Sequence, residues 1–203
     1  VSLSYPSFSR CPSCIKINSD KKPKGLQEKG NKNKVQQLNF RVMHSRIFQI
    51  STTRVEKENY LNEDTLQQGD DSFYDYCANI SDEERKEDIG YLVEYALPKG
   101  MFELTSDDTI RYNGGIEQWK EKFVADIRKK AEAITTENML EWIGPAYQLK
   151  RALKNPLDTC YHFYLDGDGC QSFAEQSFAF MEFVCTLEPG TTLYIGGVID
   201  YHF

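Results

Sequence analysis

Near the end of the chain, residues 192–202 have the sequence TLYIGGVIDYH. Thr, Tyr, Val and Ile are residue types that β-strands favour, and the preceding Pro189-Gly190 pair is typical of a turn. The segment therefore predicts a last β-strand. Adjacent glycines inside a strand often mark an extra residue on that strand, so Gly196 and Gly197 predict a β-bulge.

Upstream of this strand, the chain alternates between strand-like and helix-like patterns. Residues 46–51 and residues 160–165 predict strands, and residues 101–115 predict a β-hairpin with its turn at 106–108. The full order is strand, helix, hairpin, three helices, strand, helix, strand. This order predicts an α+β fold, with a small mixed or antiparallel sheet and helices packed on one face.

Two helix starts are marked by capping boxes, in which Ser and a Glu three residues later satisfy each other's backbone N–H groups. Ser81 and Glu84 form the first box, and Pro98 marks the end of the helix that follows. Ser172 and Glu175 form the second box, ahead of a helix so rich in Phe that we expect it to be the most buried. The apolar face of the first helix consists of Ile89, Leu92, Val93 and Ala96.

The most regular helical pattern in the chain runs over residues 116–134, where apolar residues recur along one helical face. Residues 136–144 predict a shorter helix that follows it. Residues 145–154 predict another, because Pro is favoured at the first position of a helix.

Net charge divides the chain into two unlike parts. Residues 1–42 hold nine Lys or Arg and two Asp or Glu, a net charge of +7. Residues 43–203 hold fifteen Lys or Arg and twenty-nine Asp or Glu, a net charge of −14. Few large apolar residues occur in 18–39, so we expect a disordered basic arm over 1–42 and one acidic α+β domain over 43–203. Alternatively, translation starts at Met43 and residues 1–42 come from a misassigned upstream start.

The negative charge is concentrated between Glu56 and Asp108, which hold sixteen acidic and four basic residues, a net charge of −12. Such a surface attracts a basic protein and can imitate a phosphate backbone, whereas it repels DNA and RNA. We therefore predict a basic protein partner and no direct nucleic-acid binding, with solubility as the alternative reason for the charge. The predicted binding residues are Asp82, Glu83, Glu84, Glu87 and Asp88.

Two histidines supply the alternative, enzymatic interpretation. If the 160–165 strand lies beside the last strand, then His162, His202, Asp166 and Asp200 converge as a metal or acid–base cluster. Polar residues on a half-exposed pair of strands are the ordinary explanation. The common catalytic motifs do not occur in the sequence. We therefore predict no catalytic residue, metal or cofactor, with a small metal-dependent hydrolase as the alternative.

Two short motifs resemble functional sites, but the residues around each favour a structural role. Residues 166–169 (DGDG) begin like a calcium-binding loop but do not match its later positions, so they predict a turn. Cys11 and Cys14 lack the strand and helix that flank a redox CxxC pair.

A low cysteine density without a secretory signal predicts reduced thiols in the cytoplasm, and no apolar run approaches the ~20 residues that span a bilayer.

The segment MHSRIFQIST, residues 43–52, and the segment GTTLYIGGVIDYH, residues 190–202, resemble uncharacterised small proteins of phages and conjugative elements of gut bacteria. The resemblance covers residues 43–203. It implies a small cytoplasmic accessory protein of a kind that can bind and block a host protein, and it assigns no activity or site residue. We expect a non-enzymatic binding protein of a mobile element; the metal-dependent hydrolase and a structural subunit of a larger assembly are the alternatives.

Overall fold

The computed structural model describes residues 45–165 and 173–202. Within these ranges the chain forms six strands and four α-helices, with a 3₁₀ turn at Lys57–Asn59 and a π-helical turn at Leu92–Ala96 that continues the first helix. In chain order the elements are β1 Ser45–Ser51, β2 Tyr76–Asn79, α1 Asp82–Tyr91, β3 Phe102–Ser106, β4 Thr109–Tyr112, α2 Ile116–Glu132, α3 Pro145–Lys154, β5 His162–Tyr164, α4 Ser177–Val184 and β6 Thr192–His202.

Several sequence predictions fall outside the described residues, wholly or in part. These are the basic arm over 1–42, the turn at 166–169, Asp166 of the predicted histidine cluster and Ser172 of the second capping box. The boundary between arm and domain therefore stays a prediction.

The six strands form one mixed sheet in which β6 is the central strand. On one side, β6 pairs antiparallel with β1 along most of its length. On the other side, its first half pairs with β4 and its second half with β2, both antiparallel. The hairpin partner β3 extends the sheet beyond β4, and β5 runs parallel to β1 at the opposite edge. The predicted α+β fold is confirmed.

Each face of the sheet has its own apolar cover. On the first, which we call the helical face, Phe48 and Val198 pack in a cluster that includes residues of α1 and α4. On the second, which we call the loop face, Ile47 and Ile199 pack in a cluster with no helical residue. The irregular chain between β1 and β2 supplies this second cover through Leu61, Leu66 and Tyr74. The helices therefore pack on one face, as predicted.

The predicted bulge at Gly196 and Gly197 is confirmed by a register shift in the β1–β6 ladder opposite Gln49. Gln49 is buried. Its Oε1 accepts hydrogen bonds from the backbone N–H groups of Gly197 (2.9 Å) and Leu61 (2.8 Å), and its Nε2 donates to the carbonyl of Asn59 (3.0 Å). One side-chain amide thus accepts a hydrogen bond from the bulge and also attaches the loop-face cover to the sheet.

Glycine is required at both bulge positions because other groups approach the backbone closely. A Cβ atom on Gly197 would overlap the backbone of Leu61, and a Cβ atom on Gly196 would overlap the side-chain amide of Gln49. The loop-face cover can therefore lie directly on the strand only where the strand has no side chain.

Replacing Gly197 with Ala is expected to destabilise the fold by roughly 2–3 kcal/mol, because the backbone of Leu61 must move and its hydrogen bond to Gln49 is disturbed. Urea denaturation of both proteins measures the difference. Gly90→Ala is the matched control, since Gly90 lies in α1 with nothing within 4 Å of an added Cβ. The control is expected to be neutral or slightly stabilising. Equal stability of Gly197→Ala and wild type would contradict the packing described.

The first capping box is confirmed at the start of α1. Ser81 Oγ accepts from the backbone N–H of Glu84 (3.2 Å), and the Glu84 carboxylate accepts from the backbone N–H of Ser81 (3.1 Å). The predicted apolar face is also confirmed, with Ile89, Leu92 and Ala96 buried. The sequence pattern therefore predicted both where this helix begins and which side it buries.

The predicted helix over 136–144 is wrong, because these residues form turns. The side chain of Asn138 explains the difference. Its Oδ1 accepts from the backbone N–H of Thr135 (2.8 Å), and its Nδ2 donates to the carbonyl of Ala133 (2.9 Å). Side-chain bonds of this kind offer the backbone an alternative to helical hydrogen bonding.

The second capping box does not begin α4. The helix begins at Ser177, and its N-cap residue Gln176 makes no capping hydrogen bond. Glu175 instead pairs with Phe163 of β5 through two backbone hydrogen bonds of 2.8 Å. Four of the eight residues of α4 are buried, a larger share than in any other described helix, as predicted.

The expectation that all thiols are reduced is wrong for Cys160, which is disulfide-bonded. Cys77 and Cys185 are free, and Cys77 is buried. Pairing depends on which segments the fold brings within bonding distance. Cysteine spacing in the sequence does not contain that information.

Candidate functional site

Most of the predicted acidic residues lie on the protein surface. Of the sixteen between Glu56 and Asp108, thirteen are exposed, Glu103 and Asp108 are partly buried, and Asp88 is buried. We call the thirteen exposed carboxylates the acidic surface. Eleven of them lie either on the loop-face cover or on α1.

Asp88 is the exception among the five predicted binding residues, because its side chain is buried. Asp82, Glu83, Glu84 and Glu87 are exposed on α1, but Asp88 points inward from the same helix. Its carboxylate forms an ion pair with Arg46 Nε on β1 at 2.5 Å.

The Asp88 ion pair belongs to a structural network on the helical face. Arg46 pairs with both Asp88 and Asp200, so it joins α1, β1 and β6. Burial raises the pKa of Asp88 more than the nearby Arg46 lowers it. A partly desolvated carboxylate of this kind holds elements together and is not available to a partner.

The loop-face cover and α1 meet at the central strand, which brings the two acidic stretches together. The backbone N–H of Glu63 donates to Asn79 Oδ1 (3.1 Å), and the Glu63 carboxylate accepts from the backbone N–H of Asn79 (3.2 Å). Asn79 lies three residues before Asp82. Glu63 therefore lies close to the acidic first turn of α1.

Arg85 of α1 reinforces this junction. Its guanidinium donates to the carbonyls of Gly196 (2.8 Å) and Ile195 (2.5 Å). These two residues of β6 lie between the part of the strand that pairs with β4 and the part that pairs with β2. The same group stacks on the ring of Tyr60, 5.2 Å from its centroid, in a cation–π contact. Arg85 thus fixes α1, the loop-face cover and the sheet relative to one another.

The histidine cluster of the alternative interpretation does not assemble. The strand of His162 pairs with β1, whereas the prediction required it to pair with β6. His162 lies on the loop face, and His202, next to Tyr201, lies on the opposite face, where Asp75 pairs with it at 3.2 Å. Asp200 pairs with Arg46, and Asp166 lies outside the described residues.

Within 45–165 and 173–202, no group of three or more His, Cys, Asp or Glu side chains is placed to hold a metal ion.

His162 takes part in a buried hydrogen-bonded group. Tyr201 Oη donates to the carbonyl of Cys160 (2.7 Å), which also accepts from Ser45 Oγ (2.8 Å). Since a phenol has one proton, Tyr201 accepts from Nδ1–H of His162, which leaves a lone pair on Nε2. That Nε2 atom is buried without a hydrogen-bond partner among the described residues, next to the rings of Phe73 and Tyr74.

Burial lowers the pKa of His162 from 6.5 to about 4, and the nearby carbonyl of Cys160 opposes this shift only in part. The imidazole is therefore neutral at pH 7. Between pH 6.5 and 4 the unfolded chain binds a proton that the folded chain does not bind. The contribution of His162 to stability is complete above pH 6.5 and is lost as the pH falls towards 4.

We expect the free energy of unfolding to fall by roughly 3 kcal/mol more in wild type than in His162→Phe between pH 7.5 and pH 4. Urea denaturation at several pH values measures this difference. Tyr201→Phe is the control, because it removes the hydrogen bond but keeps the imidazole buried, so it is expected to retain the wild-type pH dependence. Parallel pH profiles for wild type and His162→Phe would contradict the assignment.

A second candidate site lies between α2 and α3, where the sequence analysis predicted only a helix. Four large apolar side chains are solvent-exposed there: Leu140 by 93%, Trp142 by 71%, and Met139 and Ile143 by 60% each. We call residues 139–143 the apolar connector. The sequence signal was four apolar residues within five positions, just before Gly144-Pro145.

A groove of about 450 Å³ adjoins the apolar connector, between the end of α2 and the start of α3. Neither helix contributes a fully buried residue, so their apolar sides are only partly covered within the described chain. Exposed apolar patches of this extent commonly mark interaction surfaces. The groove is lined by Lys130, Ala133, Glu141, Ile143, Pro145 and Gln148.

Comparison with known proteins gives no match: neither a protein-family model, nor a curated protein, nor a solved structure matches this chain. Among the described helices, none is both long enough and apolar enough to cross a membrane.

Proposed function

We propose that this protein is a non-enzymatic accessory protein of a mobile genetic element that binds a basic protein partner through its acidic surface. The observation that carries the proposal is the meeting of two acidic stretches at the junction of Glu63 with Asn79, beside the first turn of α1. Rigid placement matters because fixed charges attract a partner without first having to be ordered.

The electrostatic character of this surface favours a partner that itself binds nucleic acid. Closely spaced carboxylates imitate the regular negative charge of a phosphate backbone, so they compete for a basic groove. The acidic surface contains few compensating cations, because only four Lys or Arg occur between Glu56 and Asp108. Of these four, Lys86 pairs with one carboxylate of the surface, Asp107 (2.8 Å), and Arg85 is bonded to carbonyls of β6. Blocking a basic host protein is the activity that we propose.

The location that goes with this proposal is the cytoplasm, where nucleic-acid-binding host proteins reside. The disulfide at Cys160 is of a kind that is more frequent in oxidising compartments. Location therefore has its own test, which is mass spectrometry of the native protein after rapid thiol alkylation. An alkylated Cys160 would support the cytoplasm, and an oxidised Cys160 would contradict it in favour of an oxidising compartment.

The test of function compares two variants that lose the same amount of negative charge. Asp82→Asn/Glu83→Gln/Glu87→Gln neutralises three exposed carboxylates of α1, and the control Glu121→Gln/Glu132→Gln/Glu182→Gln neutralises three exposed carboxylates elsewhere. We expect proteins captured from host lysate by wild type at about 50 mM salt to be released by about 300 mM salt, since screening weakens contacts between exposed charges. We also expect them to be lost with the α1 variant and retained with the control.

Two results would contradict the proposal. The first is capture of the same proteins by wild type and by the α1 variant. The second is equal loss with both triple variants, which would assign the binding to net charge and not to the acidic surface.

A further inference from the structure

We infer that the apolar connector and its groove form a self-complementary interface through which two copies of this chain associate about a twofold axis. This inference concerns different elements from the acidic surface, so either one can hold without the other.

The first support is the extent of the exposed apolar side chains. Met139, Leu140, Trp142 and Ile143 together expose on the order of 500 Å². This area lies near the upper end of the largest apolar patch on a typical monomer. A standard interface buries roughly 800 Å² on each partner, so the four side chains of the connector supply more than half of the area that such an interface needs.

The second support is shape, because the same patch carries both a projection and a recess. Leu140 and Trp142 project from the connector, and the groove of about 450 Å³ lies beside them. An interface with twofold symmetry requires a surface that complements itself, so that each copy places its projection in the recess of the other. A groove of this volume accommodates a large aromatic side chain.

The third support is charge. Lys130 and Glu141 both line the groove, so a twofold axis places Lys130 of one copy near Glu141 of the other. Residues 116–154 also hold eight basic and six acidic residues, a net charge of +2, against −12 for 56–108. Two copies therefore meet with less repulsion through α2 and α3 than through the acidic surface.

A dimer built in this way would carry two acidic surfaces. Joining two binding surfaces raises the effective affinity for a partner that offers two basic sites.

The experiment measures the oligomeric state of the full chain by sedimentation velocity over roughly 1–200 µM. We expect wild type to pass from monomer to dimer in this range. Leu140→Ser/Trp142→Ser is expected to stay monomeric, whereas Leu104→Ser, which removes a half-exposed apolar residue of β3, is expected to dimerise like wild type. Circular dichroism confirms that each variant is folded.

A charge exchange tests the twofold pairing directly. Lys130→Glu and Glu141→Lys each place like charges across the axis, so each single variant is expected to raise the dimer dissociation constant by about tenfold. The double variant Lys130→Glu/Glu141→Lys places opposite charges across the axis again, between the Lys130 and Glu141 positions of two copies of the chain. It is therefore expected to recover the wild-type constant.

Several results would overturn the inference. These are a wild-type chain that stays monomeric throughout the range, an unchanged dimer in Leu140→Ser/Trp142→Ser, and a double exchange that fails to restore association. A wild-type monomer that floats with neutral phosphatidylcholine vesicles, and loses this with Leu140→Ser/Trp142→Ser, would instead assign the connector to a lipid surface.

Discussion

The side-chain amide of Gln49 links the central sheet to the segment that covers its loop face. It is buried, so its oxygen and nitrogen must find partners within the protein, and they find them in Gly197, Leu61 and Asn59. The bulge makes this possible, because the extra residue in β6 leaves a backbone N–H that β1 does not satisfy. The two glycines then let Leu61 approach the strand closely. The bulge and the cover therefore depend on each other.

The surface properties follow from this attachment. Because the cover is fixed to β6 near its bulge, and Arg85 fixes α1 to the same part of the strand, the acidic residues of both segments converge. On the helical face, α1 and α4 bury their apolar residues against the sheet, while α2 and α3 lie further out and bury none completely. The described part of the chain thus has a strongly acidic surface and, on separate elements, an exposed apolar connector.

Several features that depend on neighbouring residues were predictable from the sequence, although the helix over 136–144 and the second capping box were not. Features that depend on distant pairing were not predictable. The bulge, the Ser81 capping box and the α+β order were predicted from local patterns. The burial of Asp88 was not predicted, because its partner Arg46 is 42 residues away in the sequence. A local signal did exist, since Asp88 lies four residues before buried Leu92 and so shares its helical face. The position of His162 depended on whether β5 pairs with β1 or β6, which no local pattern determines.

Backbone amide hydrogen exchange in the full chain and in Gln49→Ala tests this account most directly, because it reports separately on each hydrogen bond that Gln49 accepts. In wild type, the amides of Leu61 and Gly197 are expected to be protected to a degree similar to their neighbours in β6. In Gln49→Ala both are expected to exchange at least about tenfold faster, while the capping amide of Glu84 is unchanged. A Leu61 amide that exchanges like an unprotected loop in wild type, or at the same rate in both proteins, would contradict the central role of Gln49.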